Sequence, residues 1–121
     1  MRVLVVDDDS LAAEMTAAIL EDAGFEAIQA ESGTAALEIL SSDPGLDLVV
    51  SDLNMPGIGG LECFQAMRSR GDQRPFILLS GDDPHAIKAR EPRLDACIAK
   101  DFDLETTLGA AIADVLSTRR Q

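Results

Sequence analysis

The stretch VLVVDDDSL, residues 3–11, drives four apolar residues, three of them β-branched, into three consecutive aspartates. The apolar run is short and does not alternate with polar residues, which marks a strand buried on both faces. One Asp is enough to start a turn. Three neighbouring carboxylates repel one another, so the charge must be answered from elsewhere in the chain.

The same pattern recurs downstream. LDLVVSD (46–52) is a buried strand ending at Asp52, FILLS (76–80) ends at Ser80, and ACIAK (96–100) ends at Lys100. Residues 25–30 read as a weaker strand without a reactive end group, a freedom that suits an outer edge strand. Helical patterns fill the intervals. Residues 11–23 carry Leu11, Met15, Ala18, Ile19 and Asp22 at helical spacing, with Ser10 as expected N-cap and Gly24 as stop. Further helices are expected over 33–41 capped by Ser32, over 61–70, over 84–90, and over 105–116 capped by Asp103. NMPGIGG (54–60) is a turn by composition. Five βα units in succession imply a parallel sheet with helices on both faces. The carboxyl ends of all its strands then share one edge, where open α/β sheets bind ligands.

Bulk properties narrow the function. The 121 residues suffice for one compact domain, 1–121, with a real core. The formal charge of −12, from 22 acids against 10 bases, disfavours nucleic acid and anionic lipid. The closing Arg119-Arg120 pair is too short for a basic stripe, and without Trp or Tyr there is no base-stacking platform. No apolar run approaches the roughly 18 residues of a membrane span. The chain passes from Met1 and Arg2 directly into a strand with no signal peptide, which favours the cytoplasm. Cys63 and Cys97 lack metal-type spacing and read as free, partly buried thiols.

Any one polar strand end is ordinary turn chemistry. Three acids, a hydroxyl and an ammonium at four strand ends point jointly to a site. An oxygen-only donor set suits Mg²⁺. Lys100 alone does not neutralise three acids, but Lys100 and Mg²⁺ together do. A carboxylate is also a nucleophile able to form an acyl phosphate. The constellation fits phosphoryl transfer onto an Asp, assisted by Mg²⁺ and Lys100.

The segments VLVVDDD, DLVVSDLNMPGIGGLE, FILLSG and IAKDF occur in an order and spacing that resembles the receiver domain of two-component response regulators, along essentially the whole chain. The resemblance implies a flavodoxin-like (βα)5 three-layer sandwich with a five-stranded parallel sheet of order 2-1-3-4-5. It implies Asp52 as phosphoacceptor. Asp7 and Asp8 would hold Mg²⁺, Asp8 directly and Asp7 through water, with the Asn54 backbone carbonyl completing the shell. Ser80 would be the switch hydroxyl and Lys100 the contact to a phosphoryl oxygen. Gly81 would leave access to Asp52 open. Asp9 has no required role and reads as a solvated or helix-start acid. The implied donor is a sensor histidine kinase or a phosphotransfer protein. Hydrolysis resets the domain, and the output is a conformational shift sensed by an effector or a tethered output domain, with no turnover of a free substrate.

Three departures from the family pattern cluster together. Cys97 stands where Tyr or Phe is usual, which puts aromatic-switch coupling there in question. Asp101 stands where proline, often cis, is usual. A trans bond, or a strained cis bond, is expected there, with Asp101 either paired to Lys100 or exposed. Pro92 should shorten the fourth helix. Two other readings compete. One is an unphosphorylated pseudo-receiver serving as an interaction module. The other is a haloacid-dehalogenase-type phosphatase with Asp7 as nucleophile, Asp9 as acid/base and Ser80 as second motif. In the latter, Leu11 stands where Thr or Val is usual, and no acidic strand end follows the lysine strand. A start at Met1 leans toward an N-terminal or free-standing receiver.

Overall fold

The computed structural model describes residues 1–81, 83–101 and 103–119. Phe102 of IAKDF and Arg120 of the closing pair lie outside them. In chain order the elements are β1 (Arg2–Val6), α1 (Ser10–Asp22), β2 (Glu26–Ala30), α2 (Gly33–Ser42), β3 (Leu48–Asp52), α3 (Gly60–Ser69), β4 (Phe76–Ser80), α4 (Pro84–Arg90), β5 (Ala96–Ala99) and α5 (Leu104–Arg119). All strand pairs are parallel and the sheet order is β2-β1-β3-β4-β5, as the resemblance implied.

Alternation along each strand divides the core in two. Leu4, Val6, Val49, Phe76 and Leu78 face α2, α3 and α4, while Val3, Val5, Val50, Ile77 and Leu79 face α1 and α5. β2 lies on an outer edge with Glu26 and Gln29 exposed, which accounts for its weak pattern. α4 has only 7 residues, with Pro84 in its first turn and Glu91 before Pro92 at its end.

α1 departs from the expectation in two ways. Asp9, not Ser10, is the N-cap, its carboxylate accepting from the Leu11 and Ala12 amides at 3.0 and 3.3 Å. The buried face is Ala13, Thr16, Ala17 and Leu20, whereas Leu11 and Met15 are 65% and 61% exposed. Apolar residues occur around most of this helix. The sheet takes the face on which three small residues flank the large Leu20.

Two arginines organise the edge of the sheet opposite the carboxyl ends. Arg68 on α3 bonds the Asp72 and Arg74 carbonyls, pairs with Asp95 at 3.1 Å, and lies 4.6 Å from the Phe64 ring centre. Asp95 in turn accepts from the Phe76 amide at 2.8 Å. Arg74 donates to the carbonyls of Leu40, Asp43 and Leu46, which closes the end of α2, a helix with no basic residue in its own last turn. Asp95→Ala leaves Arg68 and the Phe76 amide without this partner. It should cost about 3 kcal/mol, read as a lowered urea midpoint.

Candidate functional site

The sheet order reverses between β1 and β3. From β1 the chain steps outward to β2 and then crosses back to β3 on the other side, opening a crevice at the carboxyl ends. Val6 pairs with Ser51, so the next residues, Asp7 and Asp52, stand side by side. Main-chain bonds carry the sheet into the loops. The Asp7 amide donates to Ala30 at 3.1 Å, the Leu53 amide to Leu79 at 2.9 Å, and the Lys100 amide to Ser80 at 2.8 Å. Residues from both ends of the sequence are thereby fixed in one plane.

Asp7, Asp8 and Asp52 each place a carboxylate oxygen within 4.8 Å of the others. Asp7 is 3% exposed and accepts from the Asp9 amide at 3.0 Å and from Lys100 Nζ at 2.8 Å. The same ammonium is 3.5 Å from Asp52 Oδ1. Asp8 is exposed, and the Asp52 side chain is 14% exposed. Burial pushes the Asp52 carboxyl above its ordinary value and Asp7 adds to this, while Lys100 pulls the other way. Burial works against the Lys100 ammonium, but its bond to Asp7 and the charges of Asp52 and Asp7 hold its pKa above the ordinary value.

The remaining expected residues lie close by in the fold. Ser80 is fully buried at the end of β4, beside the strand that ends in Asp52. Asn54 is exposed in the loop 53–59. A Cβ on Gly81 would meet nothing within 4 Å, so that position is open. Cys97 is a free, half-buried thiol on β5, packed toward the α3 and α4 side, and burial pushes its pKa up. Asp101 does not pair with Lys100. It is exposed, and its carboxylate accepts from the Asp103 amide at 2.9 Å. No cis peptide bond occurs among the described residues. The Asp103 carbonyl accepts from Thr106 and Thr107 at the start of α5.

Sequence reasoning missed two close approaches. A Cβ on Gly60 would fall 2.2 Å from the Asp52 carbonyl oxygen, and one on Gly33 would fall 2.5 Å from that of Ile58. Only the glycine-rich composition of residues 57–60 hinted at the first, and nothing local pointed to the second.

The donor set fits Mg²⁺. Three carboxylates against one ammonium leave two negative charges, and every acidic donor is a hard oxygen. Comparison with known proteins places the fold in a family. Residues 3–112 match the family model described as the response regulator receiver domain. The chain belongs to the response regulator receiver family. The receiver is 37% identical over 112 residues to the response regulator MprA of Mycolicibacterium vanbaalenii, covering 89% of this chain and 47% of that one. It is 38% identical over 85 residues to the CAI-1 autoinducer sensor kinase/phosphatase CqsS of Vibrio cholerae, covering 68% of this chain and 12% of that one. The chain thus spans about half the length of the MprA relatives it matches. In structure it resembles the response regulator TrrA of Thermotoga maritima, solved in complex with Mg²⁺-BeF. The TM-score is 0.84 at 31% identity, over 94% of this chain and 97% of that one. Among the described residues, no helix is long and apolar enough to cross a membrane.

Asp52→Asn should raise the stability of the metal-free receiver at neutral pH. A gain of about 1 kcal/mol is expected from relieved repulsion, after allowing for solvent around the exposed Asp8. The sign follows from the raised Asp52 carboxyl. Its charge destabilises the fold fully above the folded-state value, and the penalty fades as pH falls to the unfolded value of 3.8. Urea titrations of both proteins across this range should therefore converge at the acid end.

Proposed function

We propose that this receiver accepts a phosphoryl group on Asp52 from the phosphohistidine of a sensor histidine kinase or phosphotransfer protein in the cytoplasm. The observation carrying the proposal is the division of roles between the carboxylates. The Asp52 side chain stays 14% exposed beside Lys100, while Asp7 is 3% exposed and already accepts from Lys100 and the Asp9 amide. An Asp52 oxygen attacks phosphorus, the phosphorus–nitrogen bond of the donor breaks, and the imidazole leaves and takes up a proton.

Asp8, Asp52 and the Asn54 carbonyl would hold Mg²⁺, with Asp7 behind them, and the bound ion supplies charge neutralisation for the phosphoryl oxygens. Lys100 holds its proton firmly and provides a cation that turns from the carboxylates to a phosphoryl oxygen. The open space at Gly81 admits the donor and later the hydrolytic water. Ser80, at the end of the neighbouring strand, would bond the new oxygens and bias the domain toward a second conformation. That conformation is the output, sensed by an effector protein or a tethered output domain. The buried, lysine-bound state of Asp7 speaks against a phosphatase using it as nucleophile.

Incubation with acetyl phosphate and Mg²⁺ tests the assignment by intact mass. Wild type should gain one phosphoryl group and Asp52→Asn none, while Asp7→Asn should be slowed but still labelled. Label that survives in Asp52→Asn and disappears in Asp7→Asn would move the nucleophile to Asp7. Lys100→Met should slow labelling on the order of a hundredfold.

A further inference from the structure

The loop 53–59 that carries Asn54 is held from three sides. At its start the Leu53 amide is bonded to Leu79. At its end the Gly60 amide donates to the Leu53 carbonyl at 3.0 Å, closing the loop on itself, with Gly60 pressed against the Asp52 carbonyl. The third support comes from α2. Gly33, buried at the first position of that helix, faces Ile58 so closely that a Cβ would stand 2.5 Å from the Ile58 carbonyl oxygen, 2.8 Å from its Cγ2 and 2.9 Å from its Cβ.

Gly33 is not required by backbone conformation, because the left-handed glycines are Gly24, Gly57 and Gly71. It is not a good helix former either. Nor does it supply the cap, since Ser32 does so through the Ala35 amide at 3.0 Å. What remains is space. Two of the atoms a Cβ would strike, the Ile58 carbonyl oxygen and its Cβ, are not moved aside by any side-chain rotation.

Between the anchored Leu53 and the seated Ile58 lie only residues 54–57, a short turn with Gly57 at φ +75°. With both ends held, displacement of Ile58 is taken up within residues 54–57, the span that carries Asn54. We infer that Gly33 is a positioning residue for the Mg²⁺ site: its missing side chain lets α2 seat Ile58 and so fixes the turn that presents the Asn54 carbonyl. This rests on the proposal that Asn54 and the aspartates hold Mg²⁺, and it makes the start of α2 part of the site's support.

The test is Mg²⁺ binding by calorimetry, with the metal-free melting temperature measured in parallel. Gly33→Ala should weaken Mg²⁺ on the order of tenfold, as loss of a supporting contact around a metal does. Gly24→Ala is the control. It strains a left-handed turn between α1 and β2, and should lower the melting temperature while leaving Mg²⁺ affinity at the wild-type value. Ile58→Ala removes the γ carbons from the contact, so it tests the same seat if Gly33→Ala does not fold. It should weaken Mg²⁺, and because Ile58 also packs against the core it should lower metal-free melting as well, as Gly24→Ala does without the loss of affinity. Wild-type Mg²⁺ affinity in both Gly33→Ala and Ile58→Ala overturns the positioning role and leaves the metal site standing. A wild-type chain that binds no Mg²⁺ overturns the proposed function and this inference together.

Discussion

Lys100 stands between two carboxylates that the fold would otherwise set against each other. Its ammonium lies 2.8 Å from Asp7 and 3.5 Å from Asp52, at the point where sheet order reverses. Much of the chain's net charge of −12 is spread over solvated surface, where water and salt screen it. At this edge screening is poorer, because Asp7 is buried and Asp52 nearly so. One lysine cannot balance three acids. The site is therefore held in a state that a divalent cation or a change of protonation relieves, and this unrelieved charge gives it a chemical use.

The opposite edge of the sheet has the contrary character. Arg68 and Asp95 form a nearly buried pair whose hydrogen bonds also serve main-chain groups, and Arg74 closes the end of α2. There charge is matched and backbone groups are satisfied, so that edge acts as the fixed frame. An edge with unmatched charge gains from a frame that is well satisfied at the opposite edge.

The distribution of these features explains what could be read from the sequence. Buried strands without alternation, Ser32 as a cap, the short α4 and the polar strand ends are local signals, and they appear where expected. The strand order was accessible through resemblance, since alternation alone does not specify which strands adjoin. α1 was misread because Leu11, Met15 and Ile19 match the helical period as well as the small residues that are buried. Asp9 outcompetes Ser10 as the cap by its position in the turn, which composition does not reveal. The Arg68–Asp95 pair, the reach of Arg74 and the Gly33–Ile58 approach join residues distant in sequence. Their origin is three-dimensional, and no single segment carries them.

The departures at Cys97, Asp101 and Pro92 bear on how the proposed change at Ser80 would leave the site. A conformational population shifts only as far as the new contacts differ between the two states. Cys97 packs as a small half-buried group and cannot sweep the volume of an aromatic ring. Asp101 is engaged with the Asp103 amide and leaves Lys100 free of a third carboxylate. α4 is held at both ends. Asp83 caps it through the His85 amide, and Lys88 reaches forward to the carbonyls of Pro92 and Leu94. Glu91, just past its end, bonds Gln65 on α3 and Arg93. This short helix is therefore tied at its start to the segment after Ser80 and at its end to α3 and the approach to β5, so α4 links the end of β4 to the β5 position where Cys97 stands.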